Sequence, residues 1–250
     1  MRVTFAGVGE AFDETLANTS LLVQCGDFSA LLDCGFTAAS AFWAVAENPL
    51  ELDALYITHF HGDHYFGIPA LLVRSVEEGR TKRLTIMGQP GIEDRVRRLM
   101  EMAYSNALRN AQFDIYFIEC TSGDDLSLFG TRFRFAMNDH LMPCLAVRLD
   151  CEGKSVFYSG DGRPTEWTRD LAKGCNLVVH ESASFEADVP GHGTIASSIE
   201  FARTLGAESL ALVHVKRDVR KKNMQEIMET IGSVSDLNVF LPEPGEIIQL

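Results

Sequence analysis

No stretch of the 250-residue chain approaches 18 consecutive apolar residues, which argues against a membrane-spanning helix. The opening segment, MRVTFAGVGE, has no basic residues followed by an apolar run, so no secretory leader is expected. Basic residues are scarce: 22 Lys and Arg stand against 35 Asp and Glu, a formal net charge of −13. That field repels nucleic-acid phosphates at long range, so a protein that coats duplexes is not expected. A local basic site, or one made positive by bound metal, stays open. Six cysteines occur (Cys25, Cys34, Cys120, Cys144, Cys151 and Cys175), and no CxxC is among them. A chain of this length needs no disulfide staples, so all six are expected to be reduced, buried thiols in a cytoplasmic protein. Low-complexity tracts, long linkers and short-period repeats are also missing. What remains, 46% hydrophobic and 23% charged residues, is an ordinary globular composition, read as one domain over residues 1–250.

Against this background, short apolar runs repeatedly end in a histidine or an aspartate. Leu55-Tyr56-Ile57-Thr58 reads as a strand running into His59-Phe60-His61-Gly62-Asp63-His64. Arg132 to Met137 leads to Asn138-Asp139-His140, Ser155 to Tyr158 leads to Ser159-Gly160-Asp161-Gly162, and Leu210 to Val213 leads to His214. In layered α/β proteins sites gather just beyond the carboxyl ends of strands, so four such endings suggest one shared site. The first strands are expected at 3–6, 20–24 and 28–33, with Gly26-Asp27 as a hairpin turn. Helices are expected over 37–47, from Ile68 to Glu78, from Pro90 to about 111, from Ile195 to Leu205 and over about 222–231, with a closing strand pair between Val239 and Leu250. Strands followed by helices, twice over, predict an α/β protein with two facing mixed β-sheets and helices outside, an αββα sandwich.

The ligand chemistry follows from spacing. His59 and His61 are two apart, so on an extended segment both rings project to one side and can grip one ion. Asp63 and His64 lie past Gly62, where the chain turns, and suit a second ion beside the first. Histidine nitrogen with carboxylate oxygen and no thiolate suits Zn²⁺, with Mn²⁺ or Fe²⁺ as substitutes. Asp161, with two oxygens, is the natural bridge, and His140 and His214 complete the set. Two such ions about 3.5–4 Å apart make a bridging water acidic and steady both the attacking and the leaving oxygen of a phosphodiester. The basic residues Lys216, Arg217, Arg220, Lys221 and Lys222, and Arg163 beside Asp161, could offset the acidity of the chain there. His180 reads as structural.

The pattern His59-x-His61-x-Asp63-His64, with His140, Asp161 and His214 following, closely resembles the metallo-β-lactamase superfamily. Leu31-Leu32-Asp33-Cys34-Gly35 is similar to a strand end common in it. Within the superfamily the likeness is to ribonuclease Z, whose HEAT and GHST segments look like His180-Glu181-Ser182-Ala183 and Gly191-His192-Gly193-Thr194. The resemblance implies the metallo-β-lactamase fold and a binuclear-metal hydrolase. His192, oriented by Glu181, would protonate the leaving group, and Asp63 would hold metal and assist the nucleophile. A homodimer is implied by the same analogy.

Two departures shape the expected substrate. Only 20 positions lie between His140 and Asp161, where tRNA-processing ribonuclease Z enzymes commonly insert a long basic-tipped arm. The segment after Gly35, FTAASAF, also differs from the GEGTQ-like pattern of those enzymes. The expectation is therefore a phosphodiesterase for a small or cyclic nucleotide-like substrate, with nucleic acid not favoured. The same fold acting on a sulfate ester, lactone or thioester is the first alternative. A redox di-iron protein is a weaker one, since such relatives carry a carboxylate at the position of His61 and a flavin domain.

Overall fold

A computed structural model of the chain describes residues 1–187 and 189–250. Two seven-stranded sheets face each other. The first is built from β1 (Arg2–Gly7), β2 (Ser20–Cys25), β3 (Phe28–Leu32), β4 (Ala54–Ile57), β5 (Leu84–Gly88) and β6 (Ile115–Glu119). The second is built from β7 (Asp125–Leu128), β8 (Thr131–Asn138), β9 (Cys144–Cys151), β10 (Lys154–Tyr158), β11 (Leu177–Glu181), β12 (Ser209–Val213) and β13 (Asn238–Phe240). The last strand, β14 (Ile247–Gln249), returns to the first sheet, giving the orders β14-β1-β2-β3-β4-β5-β6 and β13-β12-β11-β10-β9-β8-β7.

Strand periodicity decides what each sheet face buries. In β3 and β4, Ala30, Leu32, Ala54 and Tyr56 point into the core between the sheets, where they meet Phe133, Phe135 and Val147. Their neighbours Leu31 and Leu55 point the other way, onto Phe42, Leu72 and Val96 of helices α1 (Ala38–Val45), α3 (Ile68–Glu77) and α4 (Ile92–Tyr104). A one-turn helix, α2 (Gly62–Tyr65), lies between α1 and α3. On the outer face of the second sheet Phe157, Val178 and Leu212 pack with Leu171, Ile199 and Ile227 of α5 (Glu166–Ala172), α6 (Ile195–Thr204) and α7 (Arg217–Ser233). Strands apolar on both faces are what a sheet covered on both sides requires. The fold is the αββα sandwich expected from the order of elements.

Several boundaries differ from expectation. The helix expected from Pro90 to about 111 ends at Tyr104, because Ser105 turns extended (ψ 137°) and Asn106 takes φ +64°, and a separate 3₁₀ turn covers Ala107–Asn110. The last helix begins at Arg217, five residues early, and bends at Asn223 (φ −117°). The closing strands do not pair with each other. β13 lies parallel beside β12, whereas β14 lies antiparallel beside β1, so the chain crosses from one sheet to the other.

The cysteine expectation is corrected. Cys25 and Cys151, 126 positions apart, form a disulfide between β2 of one sheet and β9 of the other. Only the facing of the two sheets brings them together, and nothing local in the sequence announces it. The argument from reduced cysteines to the cytoplasm goes with it. Cys34, Cys120, Cys144 and Cys175 are buried free thiols, as expected. Burial pushes the Cys120 thiol up to about 12 and that of Cys175 up to about 11, which makes them poor nucleophiles. No helix among the described residues is long and apolar enough to cross a membrane.

Candidate metal centre

β3 and β4 are parallel, and so are β10, β11 and β12. The loops after β3, β4, β8, β10, β11 and β12 therefore open on one edge of the sandwich. They bring together all seven residues singled out as ligands, in two groups. His59, His61, His140 and Asp161 form one, and Asp63, His64, Asp161 and His214 form the other, with ligand atoms in each within 4.8 Å of one another. Asp161 belongs to both. Its Oδ2 lies 3.9 Å from His59 Nε2, while its Oδ1 lies 3.4 Å from His64 Nε2 and 3.6 Å from His214 Nε2. Asp63 Oδ2 lies 3.3 Å from His64 Nε2 and 3.2 Å from His214 Nε2.

The chain goes to some trouble to build this edge. Asp33 (φ +61°) and His214 (φ +57°) occupy the left-handed region, which costs a non-glycine residue free energy and persists where surroundings enforce it. Gly160 (φ +60°) has no room for a side chain, since a Cβ there would lie 2.8 Å from Cys144 Sγ and from Thr58 Oγ1. A Cβ on Gly35 would lie 1.8 Å from the Asp63 carbonyl. The glycines around the ligands are thus close-approach positions.

The donor atoms fit metal. His64 is fully buried, with Nδ1 2.8 Å from Asp33 Oδ2, so Nδ1 carries the proton and Nε2 faces the site. His140 is oriented the same way, with Nδ1 donating to the Gly191 carbonyl at 2.7 Å. His64 Nε2 and Asp161 Oδ1 are buried without a hydrogen-bond partner, an arrangement that is costly unless something else binds them. Burial alone would push the Asp161 carboxyl up, yet His214 and His64 hold it well below the carboxylate range. Burial likewise would lower His214, yet Asp161 and Asp63 hold it up at about 9. Burial and the neighbouring His64 push His59 well down, which favours the neutral ring that a metal requires, and its Nε2 lies 3.0 Å from His61 Nδ1 on the site side. Protons on buried imidazoles here balance carboxylates that divalent cations would balance better.

His192 lies against this centre, its ring centroid 4.9 Å from that of His140. Its Nδ1 is 3.1 Å from Glu181 Oε1. Glu181 is fully buried at the end of β11, and its carboxylate also accepts from the backbone N–H of Gly162, Gly193 and Ala183. His180 points away from the site and donates from Nδ1 to the Glu181 carbonyl at 2.6 Å. Asp139 is exposed and its carboxylate belongs to neither group of ligands. The basic run is largely committed elsewhere. Arg217 pairs with Glu10, Lys221 with Glu14, and Lys222 with Asp218, while Arg220 is buried.

Sequence reasoning missed the supports. Asp33 is fully buried and accepts from Thr58 N (2.8 Å), the Thr58 hydroxyl and the Tyr158 hydroxyl (2.8 Å) besides His64. The signal was present, because the run from Phe28 is a fifth strand that ends in an acid. Asn138 donates to the Ser159 carbonyl at 2.7 Å, and Gln89 donates to the Thr58 and Pro143 carbonyls, each at 2.7 Å. These two brace the loops that carry the ligands.

Fold and site together define a metal-dependent hydrolase of the metallo-β-lactamase superfamily, of ribonuclease Z-like kind. More narrowly, residues 1–233 match the family described as anti-Pycsar protein Apyc1, and the chain belongs to that family. It is 27% identical to a ribonuclease Z of Methanothermobacter thermautotrophicus, over 94% of this chain and 92% of that protein. Among solved structures, the metallo-β-lactamase fold protein YhfI of Bacillus subtilis superposes with a TM-score of 0.82 at 21% identity, covering 99% of this chain and 98% of that one. The short form of human tRNase Z gives 0.82 at 21% identity, covering 100% of this chain and 99% of its own.

Proposed function

We propose that residues 1–250 act as one domain that hydrolyses a small or cyclic nucleotide-like phosphodiester with two Zn²⁺ ions. His59, His61, His140 and Asp161 would hold one ion and Asp63, His64, Asp161 and His214 the other. The ions supply charge that polarises the phosphoryl oxygens and makes water acidic. Asp63 takes a proton from the attacking water, and His192 gives one to the leaving oxygen from Nε2, its Nδ1 being held by Glu181. The apolar strands behind these ligands exclude bulk water from one side of the centre.

The size of the substrate rests on one observation. The interval between His140 and Asp161 is consumed by the antiparallel pair β9 and β10, joined by a two-residue turn at Glu152-Gly153. No chain is left there for an arm that could reach along an RNA. The curated relatives favour a second reading, tRNA 3′ processing, since several are ribonuclease Z. Zn- and Mn-loaded protein should hydrolyse bis(p-nitrophenyl) phosphate and cyclic mononucleotides, and leave precursor tRNA largely uncut. Efficient, site-specific cleavage of precursor tRNA would overturn the small-substrate reading in favour of the second.

A further inference from the structure

The loop between β11 and α6 carries His192, and loops of this kind are mobile unless tied down. Arg163 ties it. Its Nε donates to the His192 carbonyl at 3.0 Å and its Nη2 to the Val189 carbonyl at 2.8 Å. The two acceptors flank the turn in which His192 N bonds back to Val189 O at 3.0 Å. One planar guanidinium thus spans both ends of that turn, which a lysine with its single nitrogen cannot do.

Arg163 is itself fixed to the metal centre. It stands two residues after Asp161, and its backbone exchanges both hydrogen bonds with Asp139, at 2.9 and 3.0 Å, next to His140. Gly162 N, between Asp161 and Arg163, donates to the same Glu181 Oε1 that holds His192. His140 Nδ1 grips the Gly191 carbonyl on the other side of the turn. The sequence placed Arg163 as a charge near the bridging carboxylate. In the structure its Nε and Nη2 donate to the loop.

We infer that Arg163 is a positioning residue that sets the place of His192 relative to the metal ligands, while Glu181 orients the ring through Nδ1 and holds the backbone on its far side at Gly193. The inference rests on the reading of His192 as the proton donor. Without the fork the loop drifts while the ligands stay in place, and misplacing a reacting group by about 1 Å costs on the order of 10²-fold in rate.

The test uses metal-loaded protein with Arg163→Ala, Arg163→Lys and His192→Ala. The substrates are bis(p-nitrophenyl) phosphate, whose leaving group needs no proton, and a 3′,5′-cyclic mononucleotide, whose ribose oxygen does. Arg163→Ala should keep its metal and its kcat on the aryl diester, and lose about 10–100-fold in kcat on the cyclic nucleotide with little change in KM. Arg163→Lys should resemble Arg163→Ala, because charge without the fork does not span the turn. Millimolar guanidinium should restore Arg163→Ala and leave His192→Ala unimproved. Backbone amides of residues 189–193 should exchange faster with solvent in both Arg163 variants. A raised KM with unchanged kcat would make Arg163 a substrate contact and overturn the inference. So would equal losses on both substrates, loss of metal, or unchanged exchange in the loop. Failure of the underlying reading has its own signature: His192→Ala itself then shows no loss selective for the cyclic nucleotide, and the inference falls with it.

Discussion

At the scale of single residues the centre depends on side chains one step removed from the ions as much as on the ligands. Asp33 is the clearest case. It is buried, sits in a left-handed backbone conformation, and joins His64, Thr58 and Tyr158 through one carboxylate. Its bond to His64 Nδ1 directs the opposite nitrogen toward the site. Asp33→Ala should therefore weaken metal affinity by about 10–100-fold, the usual loss when such a support is removed. Isothermal titration of zinc into chelator-treated protein measures this, and unchanged affinity would make Asp33 a purely structural acid. His192 calls for a different readout, because its contribution depends on the leaving group. General acid assistance contributes about 10²–10⁴-fold, and a nitrophenolate leaves readily without it. His192→Ala should thus impair alkyl or nucleotide diesters far more than aryl diesters, with metal content unchanged. Glu181→Gln should show the same pattern more weakly, since it disturbs orientation and basicity. Metal loss in His192→Ala would instead make this residue a support of the ligands.

At the scale of elements, what could be read in the sequence was what local chemistry dictates. The turn at Gly26-Asp27 follows from two strands and a glycine, and Cys25 does pair with Phe28 across it. The i,i+4 pairs Glu93–Arg97 and Asp94–Arg98 of α4 form as spacing requires. The theme of a strand ending in histidine or aspartate located the ligands because each needs only its own strand to be recognised. The separation of β13 from β14 was not legible, since nothing in either segment says which sheet edge it will meet. Nor was the disulfide, whose halves belong to different sheets. It can be checked directly. Denatured, unreduced protein should titrate four thiols, those of Cys34, Cys120, Cys144 and Cys175, and six after reduction. Six before reduction would remove the cross-link from the fold. Losing it should cost about 2–4 kcal/mol, with roughly 2–4 °C in Tm for each kcal/mol at this chain length.

At the scale of the whole molecule, β9 connects two different fastenings of the same sandwich. At its start, Cys144 Sγ accepts from Asp161 N within the metal centre, and at its end Cys151 is bonded to Cys25. Eight residues of strand put these points about 23 Å apart at roughly 3.3 Å per residue. Each proposed ion would draw ligands from both sheets, as the disulfide does at the opposite edge. Binding that favours the folded state stabilises it by about 2.7 kcal/mol per site when free metal is 100-fold above Kd. Chelation should therefore lower Tm, restored zinc should raise it again, and Asp161→Ala should blunt the response, because one carboxylate serves both groups. Reduction of the disulfide should lower Tm on its own. Sites this far apart without shared partners add to within about 0.3–0.5 kcal/mol. Chelation and reduction together should thus destabilise by the sum of their separate effects, measured by denaturant unfolding of the four forms. A combined loss well short of the sum would mean that freeing one edge already loosens the other. The two sheets would then separate as a unit, and the picture of two independent fastenings would have to be given up.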